Sequence, residues 1–279
     1  MNIVYCINNS DYNILLAALK SIDLCSNNHK KYVLFDTKSS YENFLMLAYT
    51  DFTPILFENI EDDIKFLYSS ISKVEYMPES TYLRLILPFL FENEQFLYLD
   101  HDTLVMQNID SDLLNLEKGF LYAVKDEGIG LNYSHSVGLP LRHVYFNAGV
   151  LFFNCISTSK YRILLENLIT LINENHFIKG VLDDQDILNN VFDNYKQLSS
   201  AFNYQTNNFV RDSYFSYYSN RNIYKILHFV GPAKPWLYPT YPIFHQFYKS
   251  YYFMQKRKFS IKALKFIFRF NGIFKYFRF

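Results

Sequence analysis

Short apolar runs alternate with amphipathic stretches from the first residues of the chain. Asn2–Ile7 is an apolar run of strand length, and Asn8-Asn9-Ser10-Asp11 follows it with turn and cap chemistry. Tyr12–Cys25 then places Ile14, Leu15, Ala18, Leu19 and Ile22 at helical spacing. Tyr32–Phe35, Tyr41–Tyr49 and Pro54–Phe57 repeat strand, helix and strand. Such a βαβαβ opening predicts an α/β fold with a parallel sheet covered on both faces. Glu58–Ser72 reads as a surface helix, and Thr81–Phe91 as a helix that Pro88 kinks or ends. Phe96–Leu99 is a buried strand, with a second apolar run, Thr103–Met106, close behind it. Ile109–Leu116 is a short helix, Phe120–Val124 a strand and Lys125–Leu139 a long polar loop. In the strand Val144–Asn154, Asn147-Ala148-Gly149 interrupts with small residues that admit a ligand or another backbone. Ser157–Asn175 is a helix whose Leu164, Leu165, Leu168, Leu171 and Ile172 are expected to face inward, and Asp183–Asp186 opens another. Residues 199–224 give no clear element, and Lys225–Val230 is the last strand. Together these predict one mixed, mostly parallel sheet flanked by helices.

Composition changes this picture at one end only. The chain of 279 residues is half hydrophobic, enough for one large domain with a full core. Its formal net charge is zero but unevenly spread: Asp212 is the last acidic residue, so 1–212 carry −12 and 213–279 carry +12. Lys258, Lys262, Lys265 and Arg269 share one helical face, with Phe259, Leu264, Phe266, Ile267, Phe268 and Phe270 around them. This is the pattern of a helix lying in a membrane surface, so the chain divides into a domain over 1–245 and a basic-aromatic, amphipathic helical tail over 246–279. A tail packed on the domain is the plainer reading. No recognition motif accompanies the charge, so nucleic acid is not an expected partner. Cys6, Cys25 and Cys155 show no motif spacing, and the chain opens on a strand without a basic leader, which together fit a cytoplasmic protein.

The chemistry gathers where Phe96–Leu99 ends, at Asp100-His101-Asp102. Ligands of open α/β sheets bind beyond the carboxyl ends of strands. Continued strand geometry through residue 102 would send both carboxylates the same way. Two carboxylates so close repel unless a proton or a cation lies between them. A divalent ion that also holds phosphate is one resolution, and a turn with two solvated aspartates is the other. His228 precedes Gly231 and Lys234, residue types that suit a phosphate, although a histidine in a strand is also an ordinary core residue. Two carboxylates and an imidazole suit Mn²⁺ better than Mg²⁺ or Ca²⁺. Arg84, set among apolar residues, is either an internal ion pair or a clamp on phosphate or on Asp100. Asp184-Gln185 caps a helix or serves a site.

Five blocks stand in a familiar order: Thr-Tyr-Leu-Arg-Leu (81–85), Tyr-Leu-Asp-His-Asp-Thr-Leu-Val (98–105), Tyr-Phe-Asn-Ala-Gly-Val-Leu (145–151), Asp-Gln-Asp-Ile-Leu-Asn (184–189) and His-Phe-Val-Gly-Pro-Ala-Lys-Pro-Trp (228–236). With them the chain resembles the retaining nucleotide-sugar glycosyltransferases of family 8 that build bacterial lipooligosaccharide and lipopolysaccharide. The resemblance covers residues 1 to about 240. It implies a GT-A-type, Rossmann-like fold. It also implies that Asp100, Asp102 and His228 bind Mn²⁺, and that Gly231 and Lys234 hold the donor diphosphate. Arg84, Asn147 and Ala148 would contact the donor sugar and ribose, and Asp184 the hydroxyls of the transferred sugar. Gln185 would lie below the anomeric carbon, with Asp126 near the acceptor. The end of the first strand, with Asn8 and Ser10, would cradle uracil and ribose.

Two departures stand out. The family usually shows Asp after the first strand, where this chain has Asn8-Asn9-Ser10, and His101 replaces a small or apolar residue. Tyr76 and the 125–139 loop are expected to shape acceptor choice. The implied activity is transfer of galactose or glucose from a UDP-sugar to a glycan hydroxyl, with retention. The implied acceptor is lipid-linked, at the inner face of the cytoplasmic membrane. An inactive glycan- or nucleotide-sugar-binding protein on the same fold is the alternative. A nucleotide-sugar pyrophosphorylase would show a Gly-rich, basic loop after the first strand, and Asn8–Asp11 is neither.

Overall fold

The computed structural model describes residues 1–8, 12–25, 29–47, 50–75, 77–174, 182–206, 224–231, 234 and 236. Ser10, Tyr76 and the tail 246–279 lie outside the described residues. The opening forms as the apolar pattern predicts: β1 (Asn2–Ile7), α1 (Tyr12–Cys25), β2 (Lys30–Phe35), α2 (Lys38–Leu45) and β3 (Thr53–Leu56). The helix expected over Tyr41–Tyr49 starts earlier, because Thr37 caps its first turn by accepting from the Ser40 N–H at 3.1 Å. Next come α3 (Asp62–Ser69), a 3₁₀ stretch over Glu79–Ile86 and α4 (Leu87–Leu90). Pro88 sits in the first turn of α4, where its missing N–H costs nothing.

The chain continues through β4 (Gln95–Leu99), β5 (Thr103–Val105), α5 (Asp110–Leu113), β6 (Phe120–Lys125), α6 (Leu131–Ser136) and β7 (Phe146–Asn154). It ends in α7 (Thr158–Asn173), α8 (Asp184–Val191), β8 (Lys196–Gln197), β9 (Tyr204–Gln205) and β10 (Ile226–His228). The expected loop 125–139 thus contains a helix, α6, whose short polar sequence shows no apolar period. It is tied to α8 where Tyr133 donates to Asp186 at 3.0 Å and Asn190 donates to the Val137 carbonyl at 3.1 Å. In α7 the inward residues are Tyr161, Leu165, Leu168, Ile169 and Ile172. Leu164 and Leu171, expected inside, are exposed, because the buried stripe is rotated toward Tyr161 and Ile169.

Seven strands form the main sheet in the order β3-β2-β1-β4-β7-β6-β8. The β3-β2-β1-β4 pairs and β6-β8 are parallel, while β7 is antiparallel to both its neighbours. The central strands β1, β4, β7 and β6 are buried along nearly all their length, as expected for a sheet covered on both faces. Val4 and Cys6 join one apolar layer, which includes Leu83, Leu165 and Leu188. Ile3, Tyr5 and Ile7 join the other, with Leu15 and Leu19 of α1. The second apolar run does not extend this sheet. Instead β5, β10 and β9 form a separate three-stranded sheet on the α1 side.

One irregularity matters for the site. Between Ala123 and Val124 of β6 the partner on β7 jumps from Leu151 to Asn147, so Ala148, Gly149 and Val150 bulge out of that ladder. Three is an odd number, so the alternation of β7 inverts. Phe146 and Ala148 share one core layer with Leu151 and Phe153, and Val150 and Phe152 share the other.

The small sheet is fastened to α1 by a buried hydroxyl. Ser21 Oγ accepts from the Val105 N–H at 2.9 Å and donates to the Ala18 carbonyl at 2.6 Å. Ser21→Ala is expected to lower stability by about 1–3 kcal/mol, since the buried Val105 N–H loses its acceptor. A lower urea midpoint at unchanged slope would show it.

Candidate active site and metal cluster

The site forms at the carboxyl end of β4, where both layers over the sheet meet. Residues 101 and 102 form a turn, so strand alternation does not bring the two aspartates together. The turn is held instead by Thr103, whose N–H and hydroxyl both donate to the Asp100 carbonyl, at 3.2 and 2.7 Å. The chain then pairs β5 with β10 in antiparallel register, placing His228 opposite Thr103. Phe229 N–H donates to the Asp102 carbonyl at 3.1 Å and closes this corner. His228 Nε2 lies 3.6 Å from Asp100 Oδ2 and 3.3 Å from Asp102 Oδ1. One ligand atom from each of the three residues lies within 4.8 Å of the others.

The donor set fits a divalent ion. Asp102 Oδ1 is fully buried and has no hydrogen-bond partner. The opposite imidazole nitrogen, His228 Nδ1, lies 3.0 Å from Asn203 Oδ1; with the ring proton on Nδ1, the Nε2 lone pair turns toward the Asp102 oxygen. Two lone pairs facing across 3.3 Å call for a cation between them. Burial acts to raise the Asp102 carboxyl, but the Lys234 ammonium, together with His228 whenever its ring is charged, outweighs it and holds the group well below the usual carboxylate range.

Gly149 explains the small-residue interruption of β7. A Cβ built there would lie 2.0 Å from His228 Cε1, so the imidazole packs directly on the glycine backbone. What the small residue admits at this point is therefore the His228 side chain, delivered by β10. Gly149 also presents its carbonyl to the Asp100 N–H at 2.8 Å.

Arg84 fills both roles open in the sequence. It is buried, with Nη2 2.9 Å from Asp100 Oδ1 and Nε 3.0 Å from Asp184 Oδ2, and Nη1 donates to the Ala148 carbonyl at 2.8 Å. Tyr98, to which sequence reading gave no role, donates to Asp100 Oδ1 at 2.5 Å and lies 4.9 Å below the guanidinium. Asp184 is 2 % exposed. Burial pushes its carboxyl up to about 7, helped by Asp183 and Asp100 and opposed by Arg84. The Arg84 Nε–H is aligned on the Thr81 carbonyl rather than on Asp184 Oδ2, which accepts no hydrogen bond.

At the N-terminus of α8, Asp183 and Asp186 form a reciprocal capping box, and this presents Asp184 and Gln185 to the cleft. Gln185 Oε1 accepts from the Ala148 N–H at 2.8 Å, and its Nε2 donates to Asp126 Oδ2 at 3.2 Å. Asp126 is turned inward, accepting also from Asn147 Nδ2 at 3.0 Å and from the Gly128 N–H at 2.8 Å. Asn147 Oδ1 in turn accepts from Asn203 Nδ2 at 2.8 Å. Asn203 stands in the stretch 199–224 that gave no clear element, where an isolated amide among tyrosines carries no signal.

Lys234 Nζ donates to Asp102 Oδ2 at 2.5 Å and to the Phe229 carbonyl. Gly231 has φ +72°, a left-handed value that favours glycine. Arg84, Tyr98, Asp100, Asp102, Asp183, Asp184, Gln185, Gly231 and Lys234 border one cleft of about 600 Å³, lined also by Cys6, Ile7, Asn8, Met77, Pro78, His101 and Trp236. The structure thus gathers Asn8, Arg84, Asp100, Asp102, Asp184, Gln185, Gly231 and Lys234 around one space. His228, Asn147, Ala148 and Asp126 stand directly behind it.

A mostly parallel sheet carrying an Asp-x-Asp turn and an opposed imidazole at its carboxyl end is the GT-A arrangement. The chain belongs to glycosyl transferase family 8, whose sequence profile matches residues 2–240. It is 27 % identical over 257 residues to the probable glycosyl transferase Gly of Streptococcus gordonii, covering 89 % of this chain and 35 % of that protein. It is also 27 % identical over 252 residues to glycosyltransferase GlyB of Streptococcus pneumoniae, covering 84 % and 57 % respectively. The chain therefore spans roughly a third to just over half of these relatives. In fold it is similar to galactosyltransferase LgtC, solved in complex with donor and acceptor sugar analogues, with a TM-score of 0.67 at 21 % identity over 90 % of this chain and 96 % of that one.

The packing of His228 on Gly149 gives a direct test. Gly149→Ala forces the imidazole away and is expected to cost about 1–3 kcal/mol from overpacking. Divalent ions should raise the Tm of the wild type and leave that of the variant unchanged, as measured by calorimetry.

Proposed function

We propose that this chain is a retaining hexosyltransferase. It moves galactose or glucose from a UDP-sugar to a hydroxyl of a lipooligosaccharide, lipopolysaccharide or other surface glycan, and it depends on Mn²⁺. The observation that carries the reading is the unpartnered Asp102 Oδ1 facing His228 Nε2 at 3.3 Å, beside Lys234 and within reach of the cleft. Asp100, Asp102 and His228 hold the ion, which supplies positive charge against a leaving diphosphate. The mixed oxygen and nitrogen donors favour Mn²⁺ over Mg²⁺. Lys234 adds a second positive charge for the same phosphates, and Gly231 leaves open space where a side chain would otherwise stand. Asn8 and the end of β1 border the end of the cleft assigned to uracil and ribose, a role the sequence extends to Ser10. Arg84, Asn147 and Ala148 are assigned to the donor sugar and ribose, and Asp184 to the hydroxyls of the transferred sugar. The acceptor is assigned to the side of Tyr76 and Asp126.

Retention by two displacements needs a free carboxylate nucleophile below the anomeric carbon. Here both ends of the Gln185 amide are engaged, and Asp184 is buried against Arg84 with its carboxyl raised. Attack on the same face as the leaving group therefore fits better, with the departing phosphate oxygen taking the acceptor proton. A panel of nucleotide sugars with Mn²⁺ tests the proposal. A UDP-hexose should be hydrolysed, and Asp102→Asn and His228→Ala should lower that rate at least about 100-fold. Binding without cleavage would favour the inactive-binder reading. A trapped glycosyl adduct on Gln185 or Asp184, seen by mass spectrometry, would sink same-face attack.

We further assign the tail 246–279 to an anionic membrane surface, at the inner face of the cytoplasmic membrane, where a lipid-linked acceptor would be met. Its alternating basic and aromatic residues support this. Among the described residues no helix is long and apolar enough to cross a membrane. The full chain should float with anionic liposomes, and a chain ending near residue 250 should not. Equal flotation would remove the assignment.

A further inference from the structure

The hydrogen bonds behind the metal cluster have a direction, because they begin at groups that cannot exchange roles. The Gly149 N–H can only donate, so the Asn147 atom 3.0 Å from it is the oxygen. The Asn147 nitrogen then faces Asp126 Oδ2 at 3.0 Å, as a carboxylate acceptor requires. Asn203 sets one end of its amide 2.8 Å from Asn147 Oδ1. Two oxygens do not bond, so that end is Nδ2, and the other end is the oxygen lying 3.0 Å from His228 Nδ1. The ring proton therefore sits on Nδ1. In the uncharged imidazole the Nε2 lone pair points at Asp100 and Asp102.

We propose that Asn203 is a positioning residue for the metal: it holds the His228 proton on Nδ1 and so aims the Nε2 lone pair at the ion. The Gly149 N–H and the Asp126 carboxylate, acting together on Asn147, set the sense in which the Asn203 amide points. Asn203 is 1 % exposed, and among the described residues no other group bonds Nδ1, so without it none of them selects this tautomer from that side of the ring. The same Asp126 oxygen holds the Gln185 amide at 3.2 Å. One buried charge thereby orients both the metal-binding imidazole and the glutamine at the other side of the cleft. This rests on the metal site proposed above. It adds a residue outside the five sequence blocks and gives Asp126 an inward task.

The test compares the full-length wild type with Asn203→Leu, both labelled with ¹⁵N-histidine. Long-range ¹H–¹⁵N correlations are recorded without metal, under conditions where the ring is uncharged. Each protein is then titrated with Mn²⁺ alone, and the free ion is followed by electron paramagnetic resonance. The wild type should carry the His228 proton on Nδ1. Asn203→Leu should lose that preference and bind Mn²⁺ about 10–100-fold more weakly. A wild-type proton on Nε2 overturns the proposal, as does Asn203→Leu affinity within about twofold of wild type, against the loss expected for a lost orienting partner. The wild-type spectrum decides alone if Asn203→Leu does not fold. Should Mn²⁺ binding follow this pattern while no nucleotide sugar is cleaved, the transferase reading fails and the role of Asn203 stands.

Discussion

The pairing of β5 with β10 is the constraint on which the site depends. It brings the turn after β4 together with a strand from near the end of the described chain, and sets Thr103 opposite His228. Neither strand exceeds three residues, so the ladder is not stable by itself. It is held from outside: Ser21 and Cys25 of α1 bond the Val105 N–H and carbonyl, and Met106 N–H donates to the Lys225 carbonyl at 2.7 Å. The helix that covers one face of the main sheet thus also fixes the distance between the aspartates and the imidazole.

A second constraint is the charge buried beside that pairing. Arg84 stands between Asp100 and Asp184 with most of its donors used, and Tyr98 supports both Arg84 and Asp100. A buried ion pair contributes little net stability, but removing one partner leaves an uncompensated charge that costs about 3–5 kcal/mol. The arrangement fixes Asp100 before any ligand arrives and keeps Asp184 and Gln185 at the opposite wall, where the α8 capping box presents them.

Much of this was legible in the sequence. The β1-α1-β2-α2-β3 opening, the β4 strand and the α8 start follow from apolar period and cap chemistry, and the cluster of Asp100, Asp102 and His228 follows from the resemblance of their surrounding blocks. What the sequence did not show has physical causes. The second sheet escaped because three-residue strands look like continuations of longer ones. Helix α6 escaped because tertiary hydrogen bonds from Tyr133 and Asn190 hold it, with no apolar period of its own. Leu164 and Leu171 were misplaced because an unbroken run of large apolar residues allows more than one inward stripe. Asn203 was missed because its role exists only through what Asn147 and Asp126 do to it, and neither is near it in sequence.

The bulge in β7 carries a consequence for the length of the chain at that point. Three residues of one strand answer a single step of its neighbour, so Asn147 faces the small sheet while Ala148 faces α8. Losing or gaining one residue there would restore plain alternation. Leu151 and Phe153 would then trade sides with Val150 and Phe152, and neither layer would keep its fitted volumes. A substitution in this segment acts on the contacts of one side chain, such as the three hydrogen bonds of Asn147 or the packing of His228 on Gly149, whereas an insertion or deletion rewrites the whole strand. Residue count sets the facing of the whole strand here, while the identity of Gly149 sets where His228 stands.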